Sequence, residues 1–134
     1  MSIRYRVIFD GGSKGNPGNA YGSYLIEHGE SVIVGPKRVD LGRGTSNEAE
    51  YRCLIAALEE LDALLRREAV RPAQVALEIR GDSLLVLRQV EGAWKVKEPR
   101  LRALHEAARE LLDAYREVSF RHHPRWQSVR RLGH

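Results

Sequence analysis

The chain has 134 residues, 43% hydrophobic and 30% charged, with 22 Lys and Arg against 18 Asp and Glu, a net charge of +4. That suits one domain with one core and a soluble surface, and a mild basic excess admits a polyanionic partner without requiring one. The single cysteine, Cys53, excludes an internal disulfide and any cysteine-cluster metal site, and no apolar run approaches the roughly 18 residues of a membrane span.

Ile3, Tyr5, Val7 and Phe9 alternate with Arg4 and Arg6, the period of a half-buried strand, which puts Asp10 where that strand is expected to end. Gly11, Gly12, Gly15 and Gly18 surround the turn pair Asn16-Pro17, so a sharp bend with exposed backbone is expected next. A carboxylate beside bare backbone suits a metal and an approaching phosphodiester, although Asp10 alone is explained better by an Asp-Gly turn. The stretch is not a phosphate-binding P-loop, because Ser13 precedes Lys14 and a strand follows. Ala20 to Glu27 reads as a strand, His28-Gly29-Glu30 as a hairpin turn, and Ser31 to Val39 as the returning strand. Gly42-Arg43-Gly44 breaks the pattern, leaving an antiparallel three-stranded meander.

A long helix follows. Thr45 is its expected N-cap, with Glu48 closing a capping box. Leu54, Ala57, Leu58, Leu61 and Leu65 form its apolar stripe, and Glu50 lies on that stripe without a capping role. A carboxylate there is costly unless it is paired, binds a cation or still reaches water at the helix start. Beyond Arg71-Pro72, the alternation of Val75, Leu77 and Ile79 predicts a fourth strand, parallel to the first because a right-handed crossover joins them. Asp82 ends it and reads either as the N-cap of a short helix to about Val90 or as a neighbour of Asp10 at one sheet edge. A connector carries Trp94, Lys95 and Lys97, Pro99 opens another helix with the buried stripe Leu101, Leu104, Ala108, Leu111, Leu112 and Tyr115, and Val118, Phe120 and His122 mark a fifth strand. His122 and His123, adjacent on a strand, point to opposite faces and argue against a zinc site. The basic tail from Pro124 to His134 predicts a truncated or atypical last helix.

Asp10-Gly11-Gly12-Ser13-Lys14-Gly15-Asn16-Pro17-Gly18, then Thr45-Ser46-Asn47-Glu48-Ala49-Glu50, then Gly81-Asp82-Ser83 resemble the motifs of ribonuclease H type 1, in order, on a strand, helix, strand framework. The resemblance covers residues 3 to about 125. It implies an α/β fold with a five-stranded mixed sheet, three antiparallel strands then two parallel, and helices on both faces. It implies hydrolysis of the RNA strand of RNA–DNA hybrids with two ions of Mg2+ or Mn2+, held by Asp10, Glu50 and Asp82. Gly11, Gly12, Ser13, Asn16, Thr45 and Asn47 are then expected at the substrate. Trp94 and Lys95 are expected to hold the DNA strand by stacking and charge, a solvated basic surface being the competing account. The connector after Gly92 is similar to that of members lacking a basic protrusion. One departure stands out. The family's fourth carboxylate is missing: a gapless count places Leu132 there, a two-residue slip places His134 there, where an imidazole could partly substitute, and a shortened segment is a third reading. The alternative function is therefore a module that holds hybrid without cutting it. Expected alongside are a single domain over residues 1–134, a monomer, a cytoplasmic location, and neither membrane contact nor a small-molecule cofactor.

Overall fold

The structure, a computed structural model, describes residues 3–133. Its elements are β1 (Ile3–Gly15), β2 (Gly18–His28), β3 (Ser31–Gly44), α1 (Ser46–Arg67), β4 (Val75–Gly81), α2 (Leu84–Glu91), α3 (Pro99–Asp113), β5 (Glu117–His122) and α4 (Arg125–Leu132). One sheet runs in the order β3-β2-β1-β4-β5, with β1, β2 and β3 antiparallel and β1, β4 and β5 parallel. The expected mixed sheet is thus present.

The period-two pattern of β1 decides which face each side chain serves. Tyr5, Val7 and Phe9 join Leu77 and Ile79 of β4 against the α1 stripe Leu54, Leu58, Leu61 and Leu65, and α2 and α3 add Val86, Leu87, Leu101, Ala108 and Leu112 to this core. The opposite face is thinly covered. Ile8, Leu25 and Leu132 form a small separate cluster beneath α4. Around it an ionic ladder links Arg131 to Glu27 at 2.8 Å, Glu27 to Arg6 at 3.0 Å, Arg6 to Glu78 at 2.6 Å and Glu78 to Arg80 at 2.8 Å. Such partly exposed pairs orient α4 more than they stabilise it.

Three sequence expectations need correction. Asp10 is not at a strand end: β1 runs on to Gly15, zipped to β2 through Gly11↔Gly22, Gly12↔Tyr21 and Lys14↔Asn19. The glycines therefore lie in a ladder, and only Asn16-Pro17 turns. What ends near Asp10 is the parallel pairing, whose last rung is Phe9↔Gly81. Likewise β3 extends past Val39 to Gly44, with register shifts against β2 that absorb the irregular Gly42-Arg43-Gly44 segment. Tyr115, expected on the stripe of the helix opened by Pro99, lies just beyond the end of α3, still buried.

Gly11 is where α1 crosses the sheet most closely. A Cβ on it would lie 2.6 Å from the Ala49 carbonyl carbon and 2.7 Å from the Glu50 nitrogen, both rigid backbone. Gly11→Ala is expected to destabilise the protein by about 1–3 kcal/mol, the usual cost of forced overpacking. Urea unfolding checks this, with the midpoint falling and the slope unchanged.

Candidate active site

The parallel ladder stops at Gly81 while β1 continues, which opens a gap beside Asp10. Asp10 points into it and is 2% exposed. Glu50 enters from α1. Thr45 caps that helix: Thr45 Oγ1 accepts from the Glu48 amide at 3.2 Å, and Glu48 Oε1 accepts from the Thr45 amide at 3.0 Å. Glu48 is thereby occupied, as the capping pattern predicts. Glu50, one turn into the helix, is only 6% exposed, which removes the reading in which it reaches water. The Gly11 amide donates to Glu50 Oε1 at 2.7 Å and fixes the carboxylate over the gap.

Asp82 follows β4 directly. Ser83 caps α2, accepting from the Val86 amide at 3.3 Å, so Asp82 has no capping task. Ligand oxygens of Asp10, Glu50 and Asp82 lie within 4.8 Å of one another. Burial, and then the charge of Asp10, push Glu50 well above the ordinary carboxylate range. The same two causes raise Asp82, opposed by Ser128 and Arg125. Arg125 Nη1 is 3.9 Å from Asp82 Oδ2, a loose pairing. Glu50 Oε2 and Asp82 Oδ2 are buried and accept no hydrogen bond among the described residues. Buried anions so close together need a cation, and an all-oxygen donor set fits magnesium or manganese.

The wall behind Asp82 is built by β5 and α4. His122 is exposed, its Nε2 3.2 Å from the Asp82 carbonyl oxygen. His123 points the other way and is buried, its Nε2 2.8 Å from Ser128 Oγ. Burial chiefly, helped by Arg80, lowers the His123 pKa and keeps that ring neutral. α4 carries no Asp or Glu. Leu132 packs against Ile8 and Leu25 at 4% exposure, so the gapless position holds an apolar side chain in an apolar seat. His134 lies outside the described residues.

The other expected residues are divided. Ser13 Oγ donates to the Gly44 carbonyl oxygen at 2.8 Å, tying β1 to the end of β3, and the Ser46 amide donates to Asn16 Oδ1 at 3.1 Å, tying the β1–β2 turn to the start of α1. Asn47 lies beside them, half-buried. Gly11 and Gly12 have packing reasons to be glycine, α1 for the first and the Tyr21 hydroxyl, 2.7 Å from a Cβ, for the second. Trp94 and Lys95 line a separate groove of about 500 Å3 with Leu85, Gln89 and Leu101, which none of the three carboxylates lines. Arg125 and Ser128 were not among the expected site residues; in the sequence they stand only as positions of the family's last-helix pattern that follows Pro124.

Residues 9–129 match the family described as Reverse transcriptase-like. A Ribonuclease HI of Halobacterium salinarum is 41% identical over 122 residues, 91% of this chain and 57% of that protein. The chain thus spans little more than half the length of that relative. The crystal structure of RNase H1 from the same archaeon superposes with a TM-score of 0.80 at 39% identity, covering 95% of this chain and 90% of that one. The chain belongs to the ribonuclease H type 1 family. LC11-RNase H1, isolated from compost and solved in complex with an RNA/DNA hybrid, matches with a TM-score of 0.83 at 30% identity over 94% of this chain and 89% of its own.

Two outcomes follow for this family site. Because the fold raises the Glu50 pKa, the native state binds that proton more tightly than the unfolded chain does. Its contribution is therefore favourable at low pH and lost as pH rises through the raised native value. Glu50→Gln removes this loss. In chelator, it should be more stable than the parent near neutral pH. The difference should vanish toward about pH 4, and paired thermal melts read it. Leu132→Asp should cost about 2–4 kcal/mol in chelator, from an unpaired carboxylate in an apolar seat, and less in saturating magnesium.

Proposed function

We propose that this protein hydrolyses the RNA strand of RNA–DNA hybrids, using two divalent ions, magnesium or manganese, held by Asp10, Glu50 and Asp82. The carrying observation is the convergence of three carboxylates from β1, α1 and the end of β4 within 4.8 Å, two of them with buried oxygens that accept no hydrogen bond among the described residues. The hybrid in the LC11-RNase H1 complex supports the substrate class. When bound, such ions supply an activated water and stabilise the leaving oxygen of an in-line displacement.

The chain's own residues have distinct tasks. Asp10, Glu50 and Asp82 would hold the ions between them, one carboxylate from each of β1, α1 and the end of β4. The Gly11 amide keeps Glu50 aimed at Asp10. Asn16, Ser13, Thr45 and Asn47, gathered where the β1–β2 turn meets α1, face the substrate. There the 2′-hydroxyls of a minor groove distinguish RNA from DNA. Trp94 and Lys95, from their own groove, hold the DNA strand by stacking and charge. His122, exposed beside Asp82, is placed to exchange a proton with departing product. Leu132 leaves α4 without a fourth carboxylate, so activity is reduced; His134, whose imidazole would partly substitute, makes manganese serve better than magnesium.

The same Leu132 favours a second reading, a hybrid-binding module that does not cut. One assay separates the two: a labelled hybrid incubated with the protein in each metal. The proposal expects RNA fragments, faster in manganese. Asp10→Asn should slow their appearance by roughly a thousandfold, about 4 kcal/mol in the barrier, with the fold retained. Intact RNA in both metals, with hybrid bound, would establish the module instead.

A further inference from the structure

Three cations gather on the sheet face that carries Asp10. Residues 10, 12 and 14 of β1 share that face, because alternate strand residues point the same way. Tyr21 stands opposite Gly12, and Arg38 stands opposite Ser23, which itself stands opposite Asp10. Asp10, Ser23 and Arg38 therefore occupy one rung, and two strand spacings put the Arg38 backbone about 10 Å from that of Asp10. Lys14, Tyr21, Arg38 and Arg43 line a groove of about 710 Å3 along this face.

These cations differ from the arginines on and beneath α4. Arg6, Arg80 and Arg131 are tied into the ladder under α4, whereas Lys14, Arg38 and Arg43 make no ion pair among the described residues. The one acid in the groove, Asp40, accepts the Gly42 amide at 3.0 Å and so serves its own turn. The Arg38 guanidinium instead lies 4.7 Å from the centroid of the Tyr21 ring. The ring supports it from one side, and its N–H groups stay available to an anion. Tyr21 is in turn seated on Gly12, two residues from Asp10.

We propose that Lys14 and Arg38, with Tyr21 as the platform for Arg38, form a seat for the phosphodiester backbone that continues the substrate track outward from the carboxylates. This rests on the hybrid-cleaving reading and deepens it: the seat takes phosphates of the same duplex beyond the cleavage position. It reads no sequence, since cations on phosphates position a duplex without specifying bases.

Counterion release makes the seat measurable. Each phosphate neutralised adds roughly 0.7–0.9 to the steepness with which log affinity falls with log salt. Hybrid binding is measured in the Asp10→Asn background, where the substrate stays whole, over a series of salt concentrations. Arg38→Ala and Lys14→Ala should each weaken binding several-fold at low salt and flatten the slope by about one, and the double variant by about two. Tyr21→Leu should reproduce part of the Arg38→Ala loss with melting unchanged. Slopes equal to the parent's for both alanine variants would overturn the seat while leaving the hybrid reading intact. A parent that binds no hybrid would overturn both.

Discussion

The contact on which the rest of the site depends is the passage of α1 over Gly11. With no side chain at that position, helix backbone and strand backbone meet, and the Gly11 amide reaches the Glu50 carboxylate. The contact also forces the charge problem. It drives a second acid against Asp10, and the end of β4 adds a third. Burial and mutual repulsion then hold Glu50 and Asp82 away from full ionisation. The cluster costs the fold stability, and the divalent cation proposed for it would offset that cost.

The rest of the molecule is arranged around that gap. The large core on one face fixes α1 against β1 and β4, so the three carboxylates ride on rigid elements rather than on loops. The capping box at Thr45 and Glu48 fixes the rotation of α1, and hence which of its acids faces inward. Ser83 does the same for α2 and leaves Asp82 free of a capping duty. On the turn side, Ser13 ties β1 to the end of β3 and Asn16 ties the tip of the β1–β2 hairpin to the helix start.

Much of this was legible in the sequence. Period-two alternation gave β1 and β4, and the capping pattern separated Glu48 from Glu50. The crossover rule placed Asp10 beside Asp82. The parts not legible are those set by neighbours distant in sequence. Gly11 to Gly15 have turn composition, yet pairing with β2 extends them as strand. Gly42 to Gly44 look like a break, yet register shifts carry β3 through them. No local pattern foretells that Ser128 will face His123, or that Leu132 will fill a pocket made by Ile8 and Leu25. Those contacts appear only when α4 is docked on the sheet.

The thin attachment of α4 has a dynamic consequence. Its buried side chains are only Leu132, in a cluster of three residues, and Ser128, bonded to His123, and its other anchors are partly exposed ion pairs. An eight-residue helix so held has little cooperative support, and it belongs to the part of a protein that opens locally well below the global unfolding free energy. Its amides are expected to exchange with solvent ahead of those in α1 and β1. Arg125 and Ser128 lie on this helix, so the wall behind Asp82 depends on its docking. The molecule thus sets two acids on elements packed into its large core and leaves the surroundings of the third to a thinly attached helix.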